Sequence, residues 1–156
     1  MRYSLFIFLM LHSLAVLAVE QVICEPVMLK SQNKNIVLPG VEQSRMMQVY
    51  FFKNISAHSI WLDHPEHRSA NAGWSSYLRP GHSSALLVNR KNFSMSCAVI
   101  KPGKVEYLDC AKEIILCTPK EVTMTTKPRK GTYWLVEDKA WDDLIKSLAK
   151  RGVEIK

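Results

Sequence analysis

Two Pro-Gly pairs, Pro80-Gly81 and Pro102-Gly103, punctuate a chain whose apolar residues come in short bursts. Proline presets φ at the first central position of a turn, and glycine supplies the positive φ that a type II turn needs at the second. The first pair lies between AGWSSYL and SSALLVN, the second between FSMSCAVI and VEYLD. Short apolar runs around such turns make hairpins or tight corners. Residues 47–53 (MQVYFFK) and 59–63 (SIWLD) are rich in aromatic and β-branched side chains, as strands prefer. Met47, Val49 and Phe51 fall on one face of the first run, and Tyr50 and Phe52 on the other. The two runs are expected to pair with each other across residues 54–58. Residues 113–118, 121–126 and 132–137 read as further strands, separated at Pro119 and by a Lys127-Pro128-Arg129-Lys130 loop. About eight short strands spaced by roughly 8–12 residues predict a mainly β fold, an antiparallel immunoglobulin-like β-sandwich.

One helix is expected, at the C-terminal end. Trp141, Leu144, Ile145 and Leu148 recur at i, i+3, i+4 and i+7 and share one face. Asp138 is the expected N-cap, with Asp142 and Asp143 near the positive end of the dipole and Lys146, Lys150 and Arg151 near the negative end. Gly152 suits the position just past the last turn. The helix is expected against an edge or the bottom of the sheet, burying Trp141, with an extended segment over 153–155.

The first residues read differently. Arg2 is followed by an apolar run at 5–11 and another at 14–19, with Val16 and Ala18 placed as a signal peptidase requires. Residues 1–18 are therefore expected to be a signal peptide cut after Ala18. The run is interrupted and short of the ~20 residues that span a membrane, and no second long apolar run follows. Residues 19–45 read as an N-terminal leader with one candidate edge strand, Ile36-Val37-Leu38 ahead of Pro39-Gly40. Residues 46–156 read as the sandwich domain with its C-terminal helix. A periplasmic or secreted address follows, and with it an oxidising environment. The four cysteines, Cys24, Cys97, Cys110 and Cys117, then form two disulfides. One bridge should tie the N-terminal segment to the late cluster and the other should be local. Their spacing fits neither a zinc ribbon nor a CxxC redox pair. A lipid anchor on Cys24 is the competing reading, opposed by the bulky Ile23 before it.

Catalytic signatures are absent. There is no GxSxG elbow, no cysteine left as a thiolate, and no carboxylate pair that the sequence places at a cleft. The formal net charge of +7 would draw anionic partners, but the basic residues are scattered and no basic–aromatic stripe points to nucleic acid. No cofactor is implied. His58, Asp63, His64 and His67 fall close together, so a copper or zinc site using His58, His64 and His67 is the alternative reading. Pro65 favours an extended backbone there, which works against convergence of the imidazoles. Asn54-Ile55-Ser56 and Asn92-Phe93-Ser94 match the glycosylation sequon. Trp61, Trp74 and Tyr77 are the candidate binding residues, as an exposed aromatic patch for a protein or polymer; core packing is their ordinary role.

Four blocks, VYFFKNISAHSIWLDHP, SANAGWSSYLRPGHSSALLV, SCAVIKPGKVEYLDCAKEIILC and GTYWLVEDKAWDDLIKSLAKRGV, resemble the enhanced-entry protein B family of Legionella- and Coxiella-type intracellular bacteria. The resemblance covers about residues 47–153. It implies a small exported envelope or secreted protein associated with host-cell entry. It carries over no catalytic residue, and it implies a structural role for the cysteines.

Overall fold

The run QVYFFKN at Gln48–Asn54 (β4) is apolar on both of its faces, and that demand shapes the molecule. Val49 and Phe51 point one way, Tyr50 and Phe52 the other, and all four are buried. Such a strand needs a cover on each side. In the computed structural model, which describes residues 23–32, 34–38, 47–63, 75–89, 93–128 and 131–156, both covers are present.

The first cover is a second sheet. β4 lies in the middle of a five-stranded sheet with β1 (Cys24–Pro26), β10 (Ile114–Pro119), β7 (Ser83–Val88) and β12 (Tyr133–Lys139), in the order β1-β10-β4-β7-β12. Facing it are β2 (Lys30–Gln32), β3 (Asn35–Val37), β8 (Ser94–Lys101), β5 (Ile60–Asp63) and β6 (Ser76–Leu78), in the order β2-β3-β8-β5-β6. β9 (Lys104–Leu108) also pairs with β8. Every pairing is antiparallel. Tyr50, Phe52 and Leu86 meet Ile60, Leu62 and Met95 between the sheets. The chain is thus the expected antiparallel β-sandwich.

The second cover is the C-terminal helix, α2 (Trp141–Lys150), with a small ladder of β11 (Val122–Met124) and β13 (Val153–Ile155) beside it. Leu144 and Leu148 are buried against Val49, Phe51, Ala85 and Leu87. Each buried leucine contributes ~1.5–3 kcal/mol of apolar burial. Trp141 is only partly buried and packs edge-on to Phe51, with ring centroids 5.2 Å apart. The helix therefore lies over the outer face of the five-stranded sheet, not at its edge or bottom. A second, single-turn helix, α1 (Cys110–Glu113), leads into β10.

Several local expectations change. β4 and β5 do not pair: β4 sits between β10 and β7, whereas β5 sits between β8 and β6 in the other sheet. The intervening loop crosses the sandwich. Its start is fixed by Asn54, whose buried side chain donates to His58 O and Leu78 O and accepts from the Ser56 N–H and hydroxyl, at 2.7–2.9 Å. The Pro80-Gly81 turn is a corner between sheets, because β6 and β7 belong to different ones. The Pro102-Gly103 turn closes a true two-residue hairpin, with Lys101 opposite Lys104. Both glycines have positive φ, 72° and 75°. The leader segment contributes β1 to one sheet and β2 and β3 to the other, so the sandwich begins at Cys24. Residues 1–18, including the expected signal peptide, lie outside the described residues.

Asp138 does not cap the helix; the N-cap position belongs to Ala140. Asp138 lies in a register shift of β12 against β7, with φ at +47°. Its carboxylate accepts from the Arg79 backbone N–H at 2.9 Å and from Arg79 Nε at 2.7 Å. Its own N–H donates to Ser84 Oγ. His82 Nδ1 approaches to 3.1 Å, an electrostatic contact without hydrogen-bond alignment. Asp138 is thus the clamp that holds the Pro80-Gly81 corner to the end of β12.

Candidate binding surface

The outward face of β6, β5, β8 and β9 carries the candidate site. Ile60 and Leu62 of β5 point into the core, so Trp61 between them must point out. Trp61 stands directly opposite Tyr77 of β6 on one side and Ala98 of β8 on the other. The Trp61 and Tyr77 rings lie 5.3 Å apart, tilted by 59°. Ala98 stands opposite Tyr107, and Ile100 opposite Val105. All share one face by the two-residue period of strands. Ile100 is 63% exposed, Val105 55%, Tyr77 43% and Tyr107 38%. An open cleft of about 600 Å³ runs beside Trp61, Tyr77 and Ile100 and is flanked by His58, Lys101 and Glu106.

The rim is charged. Lys101 Nζ donates to Glu106 Oε2 at 2.5 Å across the hairpin. That hydrogen bond, and then the Lys101 charge, hold the Glu106 carboxyl below the usual carboxylate range. The stabilisation from this pair is present above the ordinary carboxylate range and is lost as pH falls through Glu106's lowered value.

The sequence identified part of this face. Trp61 and Tyr77 are brought together, while Trp74 lies outside the described residues. Ile100, Val105 and Tyr107 were missed. Their signal was the alternation in KVEYL after Pro102-Gly103, which puts Val105 and Tyr107 on one face.

The remaining candidates separate. Cys24 bridges Cys117, and Cys97 bridges Cys110, with Cα–Cα distances of 5.6 and 5.2 Å. His58 Nε2 lies 3.4 Å from Glu113 Oε2. His64 and His67 lie outside the described residues, among which no group of three or more His, Cys, Asp or Glu is arranged to hold a metal ion. Asn54 of the first sequon is fully buried with its amide nitrogen occupied, so it is closed to glycosylation in the folded protein. Elsewhere, burial raises the Tyr50 hydroxyl to about 12 and raises the Glu137 carboxyl against the opposing pull of Arg151. Neither residue faces the cleft. No helix among the described residues is long and apolar enough to cross a membrane.

Comparison with known proteins finds no matching family model, no similar curated protein and no similar solved structure.

Proposed function

We propose that this is an exported, non-catalytic binding protein of the bacterial envelope or secreted fraction. It supports host-cell entry or intracellular survival by holding a protein or cell-wall polymer on the face formed by Trp61, Tyr77 and the β8–β9 hairpin. The observation that carries this reading is the apolar face itself. Four large apolar side chains stand more than a third exposed on one side of a sheet whose other side is core. Exposed apolar patches of this kind mark contact surfaces. Two disulfides support export. The signal-peptide pattern at 1–18 and the resemblance to the enhanced-entry protein B family support the address and the role.

The test is a Trp61→Ala/Tyr77→Ala double variant. It should unfold at nearly the wild-type temperature, because neither ring is in the core. Its retention on purified cell-wall sacculi or on host membrane fractions should fall by at least about tenfold, the loss expected when central aromatic anchors are truncated. Equal retention of the folded variant and the wild type would exclude this face.

A further inference from the structure

We infer that the outward row of Tyr77, Trp61 and Tyr107, with Lys34 at its end, holds a strand of bacterial cell-wall glycan, a polymer of N-acetylated sugars with a carboxyl-bearing substituent on every second ring. The inference rests on the contact face proposed above and names what lies on it. The first ground is the row itself. Tyr77, Trp61, Ala98 and Tyr107 stand opposite one another on four adjacent strands, so they form a line across the sheet. Ala98 faces outward yet is only 6% exposed, so its neighbours lie over it. Its small side chain leaves the Trp61 and Tyr107 rings beside it room to lean in and turn a face to solvent. A pyranose ring has an apolar C–H face, and laying it on an aromatic ring removes apolar surface from water. Trp61 and Tyr107 are two strand spacings apart, roughly 9.5 Å, which is about the length of a disaccharide.

The second ground is charge. Lys34 continues the row past β9: its Nζ donates to Tyr107 O at 3.3 Å, which uses one of the ammonium's three protons. Lys34, Lys101 and Lys104 all act on the Glu106 carboxylate, and of these only Lys101 hydrogen-bonds to it. The neighbouring carboxylate, Asp109, accepts from the Ser31 hydroxyl and lies 3.7 Å from Lys112 Nζ. Four lysines thus share two carboxylates at this end of the row, and the surplus is positive. A partner carrying carboxylates matches that surplus, and a neutral one leaves it unmatched.

The third ground is what borders the row. Ile100 is the next outward position of β8 after Ala98, and Val105 stands opposite it. They are the two most exposed of the face's large apolar side chains. A plain sugar offers them hydroxyls at its rim, whereas the methyl of an N-acetyl group offers a small apolar contact. That selects amino sugars. The expected export selects the source, since an exported chain meets the wall before any polymer outside the cell.

The oxidised protein as recovered from cells is titrated, with amide chemical shifts as the readout, against four probes. These are a wall-glycan oligosaccharide freed of its stem peptides, which leaves one lactyl carboxylate per disaccharide, a neutral chito-oligosaccharide of the same length, a hyaluronan oligosaccharide as a carboxylated host glycan, and the free stem peptide. The wall glycan should shift the amides of Trp61, Tyr77 and Tyr107. The neutral glycan should shift the same amides with a Kd about threefold higher, as the loss of one exposed ion pair allows. Hyaluronan should bind more weakly still, and the stem peptide should leave these amides unmoved. Trp61→Ala and Tyr107→Ala should each weaken wall-glycan binding by at least about tenfold. Lys34→Gln should weaken the wall glycan to the level of the neutral one and leave the neutral one unchanged, a split that general damage to the face does not produce. The inference is overturned if the wall glycan leaves those amides unmoved, if the neutral glycan, hyaluronan or stem peptide binds at least as tightly, or if folded Trp61→Ala binds the wall glycan as well as wild type. If no glycan binds while the Trp61→Ala/Tyr77→Ala variant still loses its retention on host membranes, the glycan falls alone and the contact face stands with a protein partner.

Discussion

Asn54 shows how much one buried amide can organise. Its Nδ2 donates to two carbonyls and its Oδ1 accepts two hydrogen bonds, so every polar site on the side chain is used. Its main chain also pairs with the corner, donating to His82 O and accepting from Gly81 N–H. Four segments meet on one residue: the end of β4, the crossing loop, the end of β6 and the Pro80-Gly81 turn. Asn54→Ala leaves the Leu78 carbonyl unpaired in a buried setting and should cost about 2–4 kcal/mol in denaturant unfolding. Asn54→Asp should cost more at neutral pH than Asn54→Ala. It replaces the donor with a charged acceptor aimed at the same two carbonyls. If Asn54→Asp proves the milder change, the amide is not oriented as described. Nothing in the sequence separates this residue from an exposed sequon asparagine. Burial of a polar side chain is decided by what the rest of the chain places around it.

At the scale of elements, local signals were read well and partners were not. The helix face, the positive-φ glycines, the β8–β9 hairpin and the final strand were all legible, because each depends on residues adjacent in sequence. The pairing of β4 with β5 was expected on proximity alone. It failed because both strands are buried, so each takes partners in its own sheet and the connection spans the core. Asp138 was misplaced for a similar reason. Its position before a helix suggests a cap, but its φ of +47° and its bonds to Arg79 commit it to the corner between β6 and β7. Two effects can be separated there by substitution. Asp138→Ala loses the clamp and keeps an unfavourable backbone, whereas Asp138→Gly loses the clamp but accepts the positive φ. Thermal unfolding should rank wild type above Asp138→Gly and Asp138→Gly above Asp138→Ala, with about 1 kcal/mol between the two variants. An Ala variant at least as stable as the Gly variant would mean the positive φ stores no strain.

Across the whole molecule the two disulfides fasten different layers. Cys97 and Cys110 belong to the core between the sheets, and Cys24 packs with Cys117 beside the core under the helix. Chain-entropy arguments favour the longer loop: a sequence separation of 93 against 13 corresponds to about 4.6 against about 3 kcal/mol of stabilisation. Accessibility runs the other way. Cys97 and Cys110 are fully buried, while Cys117 is half-buried on β10 beside the three-residue edge strand β1. Thiol exchange requires a thiolate to reach a sulfur, so access sets the order of opening. Limited reduction under native conditions, followed by alkylation and peptide mass mapping, should label Cys24 and Cys117 first. The singly reduced species should keep the β-sheet circular dichroism of the native protein, because Cys24 lies on β1, the three-residue edge strand, and the other four strands of that sheet pair without it. It should nonetheless unfold at lower denaturant, with a loss of stability approaching the ~4.6 kcal/mol assigned to the longer loop. Cys97 and Cys110 should become labelled only where the sandwich itself opens, so their modification should track global unfolding. Simultaneous labelling of all four cysteines would mean that β1 cannot detach without the sheets separating, and that the two layers unfold as one unit.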